Sequence, residues 1–222
     1  MQQTATIKIG MVIIGVNPLT NKVIEIIELE NKYEIIGLID CNENDALYQF
    51  KSKYQIYHDI SEIKLLNIAN PINLGVLCIE DSRLRKVILK KIVETDKNFQ
   101  FINAIHPTAI IGKNTSLGKG NIIGVKAIIN PDSKIKDFCL IKDMVSIGHD
   151  TSIGDFVTLN TNATLGGNVI IGRCSILGMS SKILQNISVA KHCIIKDNAL
   201  VLKDTKEGDT LYGVPAKVDT PE

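Results

Sequence analysis

Residues 141–183 read IKDMVSIGHDTSIGDFVTLNTNATLGGNVIIGRCSILGMSSKI. Stepping by six from Ile141 meets Ile147, Ile153, Leu159, Leu165, Ile171, Leu177 and Ile183. The step continues unbroken in both directions, so that all seventeen positions from Ile105 to Val201 are aliphatic. A second, mostly small series stands four residues after each, among them Ala127, Ser133, Cys139, Val157, Ala163, Ser175 and Ser181. Gly directly follows the aliphatic residue at 112, 118, 124, 148, 154, 166, 172 and 178. With apolar residues at about half of all positions, seventeen in succession arise by chance on the order of once in 10⁵.

A period of six suits neither a helix, at 3.6, nor a simple strand, at 2. It does suit a short strand plus a corner. Three such units close a triangular coil of eighteen residues, and stacked coils place aliphatic over aliphatic at about 4.8 Å. Small residues fit where the cross-section is tight, and Gly is expected to relieve backbone strain at the corners. Nearly six coils give a prism on the order of 27 Å long. The predicted fold is a parallel β-helix of hexapeptide repeats over residues 105–205.

The repeat is absent before residue 105. Ile7–Ile14 is an apolar run ending at Gly15, a buried-strand pattern. Leu19, Val23, Ile26, Ile27 and Leu29 have helical spacing after Pro18, which suits a helix start. Glu34–Asp40 and Asn73–Ile79 read as two further strands. Asp81 or Ser82 can cap a helix over about Arg83–Glu94. Strands alternating with helices predict a small parallel α/β domain of Rossmann-like, nucleotide-binding kind at 1–104, followed by the β-helix and a turn-rich tail at 105–222.

Composition narrows the function. The 222 residues carry 25 basic and 24 acidic side chains, a formal net charge of +1, so neither nucleic acid nor an anionic membrane is the expected partner. The longest apolar runs are strand-sized, too short to span a membrane. The start shows no basic n-region and no small-residue cleavage site, so no signal peptide is expected. Five Cys without a CxxC suggest neither a disulfide framework nor a thiolate zinc site, and fit a reducing, cytoplasmic location.

His149 stands two places after Ile147, in neither inward series, and so on the outside of a coil. An imidazole there can take a proton from an attacking amine or hydroxyl, with Asp150 beside it as orienter. From spacing alone, a solvated surface His-Asp pair is the plainer reading. His58, His106 and His192 read as loop or turn residues. Cys139, Cys174 and Cys193 lie in or beside the small inward series, where packing explains them.

Several stretches together carry a resemblance: IIG at 13–15, GLID at 37–40, SRLRK at 82–86, HPTAIIG at 106–112, SIGHDTSIGDF at 146–156, GGNVIIG at 166–172 and YGVPAK at 212–217. In these the chain resembles bacterial sugar acyltransferases of the sialic acid O-acetyltransferase and UDP-amino-sugar N-acetyltransferase group. The resemblance implies a left-handed coil, a homotrimer, acetyl-CoA as co-substrate with no metal, and an amino-sugar or nucleotide-sugar acceptor. It implies His149 as general base and Asp150 as its partner. It places Thr158, Gly167, Met179, Asp197 and the loop Val214, Pro215, Ala216 and Lys217 along the coenzyme, with Gly167 letting a ligand approach the backbone. Thr158 departs from the pattern, because many relatives carry a second histidine nine residues after the first. Gly15, Val16, Asn17, Asp40 and Cys41 fall where a nucleotide-linked sugar would bind, in a loop with fewer glycines than relatives have. Two rivals remain. One is a non-catalytic β-helix scaffold or partner of another sugar-biosynthetic enzyme. The other is a zinc hydratase on the same prism, which needs three convergent histidines that the spacing does not bring together.

Overall fold

Each hexapeptide folds as a two-residue strand and a corner in the computed structural model, which describes residues 8–41, 51–63 and 73–219. Seventeen such strands run from β6 (Ala104–Ile105) to β22 (Leu200–Val201). Every one pairs in parallel with the strand eighteen residues away, as Ile129 does with Ile147 and Ile135 with Ile153. The result is a parallel β-solenoid with three sheets. From Ile123 to Val201 every residue of the aliphatic series is at most 2% exposed. Ile105, Ile111 and Leu117, in the first coil, are more open because a coil covers them on one side only.

The small series closes the core. Several of its polar members find a carbonyl: Ser133 Oγ donates to Gly148 at 3.1 Å and Ser175 Oγ to Ala190 at 2.9 Å, while Cys139 Sγ donates to Gly154 at 3.0 Å. A buried hydroxyl is tolerated where it has such an acceptor. Asn121 Oδ1 accepts from Cys139 N at 2.8 Å, and its Nδ2 is buried without a partner among the described residues.

The corners correct one expectation. The glycines that follow the aliphatic residues do not adopt the left-handed conformation. That conformation falls two residues later, at a position held from Lys126 to Asn198 by non-glycine residues with φ of 53° to 62°. A left-handed L-residue costs on the order of 1–2 kcal/mol. The cost is offset by a hydrogen bond across coils, as from Asp150 N to Pro131 O at 3.1 Å and from Asn168 N to His149 O at 2.8 Å. The glycines are there for space. A Cβ at Gly154, Gly166 or Gly172 would meet the backbone of the next coil at Arg173, Gln185 or Lys191.

The tail ends the stack. β23 (Thr210–Tyr212) pairs in parallel with β21 (Ile194–Ile195) and turns back in β24 (Lys217–Val218). Leu200 N donates to Gly213 O and Ala216 N to Leu200 O, so the last coil's edge is covered rather than left open.

The chain divides into two compact units, one of residues up to Ile79 with Val87–Ile102, the other of Glu80–Lys86 with Asn103 onward. Among the described residues the first unit holds a five-stranded, wholly parallel sheet in the order β3-β2-β1-β4-β5: β1 (Ile9–Ile14), β2 (Tyr33–Ile39), β3 (Ile56–Tyr57), β4 (Leu74–Leu77) and β5 (Gln100–Phe101). α1 (Pro18–Glu30) joins β1 to β2, and α2 (Ser82–Thr95) joins β4 to β5. α1 starts where Pro18 predicts. Asn17 caps it by accepting from Leu19 N at 2.9 Å, and Asn17 N donates to Thr20 Oγ1 at 2.9 Å. Its inward face is Leu19, Val23, Ile26 and Ile27, while Leu29 is exposed. β3 escaped the sequence reading because it is two residues long and gains its identity only by pairing with β2. Ile7, read as the first residue of strand one, lies outside the described residues.

Candidate active site

His149 sits at the corner between β13 (Ser146–Ile147) and β14 (Ser152–Ile153). The offset of two from Ile147 puts its side chain outside the coil, 67% exposed. Asp150, next in the chain, takes the left-handed corner position with φ of 57°. That turn brings its carboxylate back to the ring: His149 Nδ1 and Asp150 Oδ2 are 2.7 Å apart. A carboxylate accepts only, so Nδ1 carries the hydrogen and Nε2 presents its lone pair. The pair has the geometry that a base and its orienter require.

Gly167, one coil further, lies against this ring. A Cβ there would meet His149 Nε2 at 2.5 Å, Cε1 at 2.8 Å and Cδ2 at 3.1 Å. The imidazole occupies the space that the missing side chain leaves. His149, Asp150 and Gly167 therefore form one cluster.

Met179 and Asp197 form another, at the corner after β18 (Ile176–Leu177) and β21. Met179 is exposed, and its backbone N donates to Asp197 Oδ1 at 2.7 Å. Asp197 has the same part as Asp143 and Asp155, whose carboxylates accept from Val125 N and Asp137 N across coils. Val214, Pro215 and Lys217 are exposed on the tail hairpin, while Ala216 packs against the core.

Thr158 lies elsewhere again, in β15 (Thr158–Leu159), on the eight-stranded sheet and 5% exposed. Its Oγ1 accepts from Arg85 Nη2 at 2.9 Å, and Arg85 is itself 2% exposed. Phe156 O receives the same nitrogen at 3.4 Å, and Lys86 Nζ stands 5.4 Å from the Phe156 ring. Nothing in the SRLRK stretch at 82–86 marks Arg85 for this contact. Only the fold shows a guanidinium placed on the residue that departs from the histidine pattern.

In the first unit, Gly15 has φ of 110°, and a Cβ there would land on the Cys78 carbonyl. Gly15 N donates to Ile39 O at 2.7 Å, which ties the loop to the end of β2. Asn17 is engaged in building this loop, with Nδ2 donating to Cys78 O at 2.7 Å, and Val16 is buried. Asp40 and Cys41, just past β2, line a cavity of about 620 Å³ with His58, Asp59, Lys91 and Glu94. Burial, and then the negative charge of Asp40, push the Cys41 thiol up to about 12. His58, read as a loop residue, and Lys91 join this site through chain reversals that no local pattern records. His106 is buried in the turn leading into the solenoid, its Nδ1 at 2.8 Å from Thr108 Oγ1.

Among the described residues no cluster of three or more His, Cys, Asp or Glu is placed to hold a metal ion, and no helix is long and apolar enough to cross a membrane.

No protein-family model and no curated protein matches the chain. Solved structures do. PerB from Caulobacter crescentus, crystallised with CoA and GDP-perosamine, is 25% identical, over 95% of this chain and 97% of that one, with a TM-score of 0.86. Perosamine N-acetyltransferase from the same organism has also been solved with one histidine changed to asparagine or alanine. The acetyltransferase domain of PglB from Neisseria gonorrhoeae, with acetyl coenzyme A, is 23% identical over 95% of this chain and 99% of that one, TM-score 0.82. WeeI from Acinetobacter baumannii is 20% identical over 95% and 100%, TM-score 0.79. The solved structures to which this chain is alike in fold along nearly its entire length thus include a perosamine N-acetyltransferase and an acetyltransferase domain, of the type its motifs resemble.

Proposed function

We propose that this chain is an acetyl-CoA-dependent acetyltransferase acting on an amino or hydroxyl group of a nucleotide-linked sugar destined for a surface glycan. The observation that carries the reading is the exposed His149 imidazole, held through Nδ1 by Asp150 at 2.7 Å with Nε2 open. The coenzyme supplies the acetyl group as a thioester. As the acceptor's nitrogen or oxygen attacks the thioester carbon, Nε2 takes its proton. When the carbon–sulfur bond breaks, the imidazolium returns that proton to the departing thiolate. Asp150 keeps the ring in the one tautomer that can do this. No acyl-enzyme is needed.

The acceptor is the finer part. GDP-perosamine in PerB supports a nucleotide-linked amino sugar here. We read the first unit, with the span 1–104 around it, as a Rossmann-like domain holding that nucleotide. Its support is the reversal of strand order beside β1, where such folds bind ligands at the carboxyl edge, and the Asp40–Cys41 cavity next to it. The span 105–222 then carries the coenzyme. One protomer has His149 and Met179 on different corners and Thr158 on a face, so we infer that a second protomer completes the groove, in a left-handed homotrimer. All five cysteines are free thiols, as suits a reducing cytoplasm.

The test is release of free CoA thiol from acetyl-CoA in the presence of a panel of nucleotide-linked amino sugars. The expected result is acceptor-dependent release that His149→Ala removes. No release with any amino-sugar nucleotide, from folded protein that binds acetyl-CoA, would leave the scaffold reading standing instead.

A further inference from the structure

Eight glycines follow aliphatic residues, and those at 154, 166 and 172 are excluded from carrying a side chain by backbone of the next coil. Gly167 differs in kind. It follows another glycine, belongs to the same corner column as Pro131 and His149, and the three atoms nearest its missing Cβ all belong to the His149 ring. Its φ lies outside the left-handed region, so its own backbone would accept an alanine. What forbids a side chain there is one imidazole, and that imidazole is two-thirds exposed and not boxed in by packing.

The ring is therefore located by few things. The His149 carbonyl is pinned by Asn168 N at 2.8 Å, and Nδ1 by Asp150 at 2.7 Å. The third constraint is the flat surface of Gly167 beneath Nε2 and Cε1. An alanine methyl at 2.5 Å from Nε2 must retreat, or drive the ring back, by about 1 Å to reach ordinary contact, 3.4 Å being the short end of that range. The backbone on which the methyl sits is held by Gly167 O accepting from Asn186 N at 3.0 Å, so the exposed ring is the part that yields. Displacing a reacting group by about 1 Å can cost on the order of 10² in rate.

We infer that Gly167 is a positioning residue for His149: its missing side chain is the seat on which the imidazole rests with Nε2 toward the acceptor. This rests on the reading of His149 as base. It gives the bare Cα a part besides the expected one of letting a ligand reach the backbone.

The experiment is a double-mutant cycle of Gly167→Ala and His149→Ala, with turnover, acetyl-CoA affinity and the ring ¹⁵N shifts of His149 as readouts. Gly167→Ala alone is expected to lower kcat about 10²-fold, to leave coenzyme affinity unchanged and to move the His149 ring shifts in protein free of substrate. In the His149→Ala background the same change is expected to alter kcat less than about twofold, because the group it displaces is gone. An equal loss in both backgrounds would mean that the glycine acts on a ligand directly, and would overturn the proposal. Unmoved ring shifts in Gly167→Ala would overturn it as well, whatever the chain proves to acetylate. If Gly167→Ala fails to fold, the double variant must fold, since the clash is removed; a double variant that also fails overturns the proposal. Full activity in His149→Ala would instead sink the base assignment, while the substrate-free shifts still report whether Gly167 seats the ring.

Discussion

His149 and Asp150 are neighbours whose relation depends on one backbone angle. In an extended segment adjacent side chains point apart. The left-handed φ at Asp150 folds the carboxylate back onto Nδ1, so the solenoid's corner geometry makes the pair. His149→Ala should lower kcat about 10²- to 10⁴-fold with little change in acetyl-CoA affinity, because a general base acts in the transition state. Asp150→Asn should cost less, since the amide oxygen can still accept from Nδ1; steady-state kinetics with a saturating acceptor would check both. Two thiols give a pH prediction. Burial pushes Cys139, which is 1% exposed, and Cys41 up to about 12, from an ordinary value near 9.0. The unfolded chain releases these protons above pH 9 and the folded chain does not, so these groups make stability fall as pH rises from about 9 towards 12. Urea melts at pH 8 and pH 10 should show the loss, and Cys139→Ala should reduce it. The offset of His149 from the aliphatic series, a local property, placed it outside the coil, and the resemblance carried by its motif singled it out. The contact of Gly167 with the His149 ring was not legible, since the ring comes from a residue one coil away.

At the scale of single coils, the six-residue step predicted which residues face inward, and the pairing bears the register out strand by strand. Ile153→Asp would place a carboxylate at a position 1% exposed and surrounded by aliphatic side chains, and should abolish folding. Circular dichroism of the purified variant would decide; a folded, soluble protein would refute the inward assignment. The corner glycines were legible as a row but not as a mechanism, because hydropathy does not distinguish a residue needed for its φ from one needed for its size. The contact between Arg85 and Thr158 was not legible at all, the two being 73 residues apart. Thr158→Val removes an acceptor from a buried guanidinium and should destabilise the protein by about 1–3 kcal/mol. Thr158→Ser, which keeps the hydroxyl, should recover most of that in thermal melts. A valine variant as stable as the parent would show that the contact contributes nothing.

For the whole molecule, assembly is the open quantity that the proposed site depends on. Three chains of 24.4 kDa give 3 × 24.4, about 73 kDa, and light scattering should report that mass for active protein. An active monomer would sink the shared groove and leave the fold untouched. The periodic half was the easier to read, because translation along an axis repeats the same demand on the sequence every eighteen residues. The sheet unit makes each demand once, and its cavity is assembled from Asp40, His58 and Lys91, which share no pattern. That difference bears on how such a chain can change length. Deleting eighteen residues removes one rung and returns every later residue to the face it had. Deleting six preserves the aliphatic spacing perfectly, yet carries everything beyond it a third of a turn round the axis. A cut of six upstream of Ile147 would keep the core and bring His149 to a different edge of the prism. Hydrophobic order and placement of His149 are thus separable, and only insertions or deletions in whole rungs conserve both.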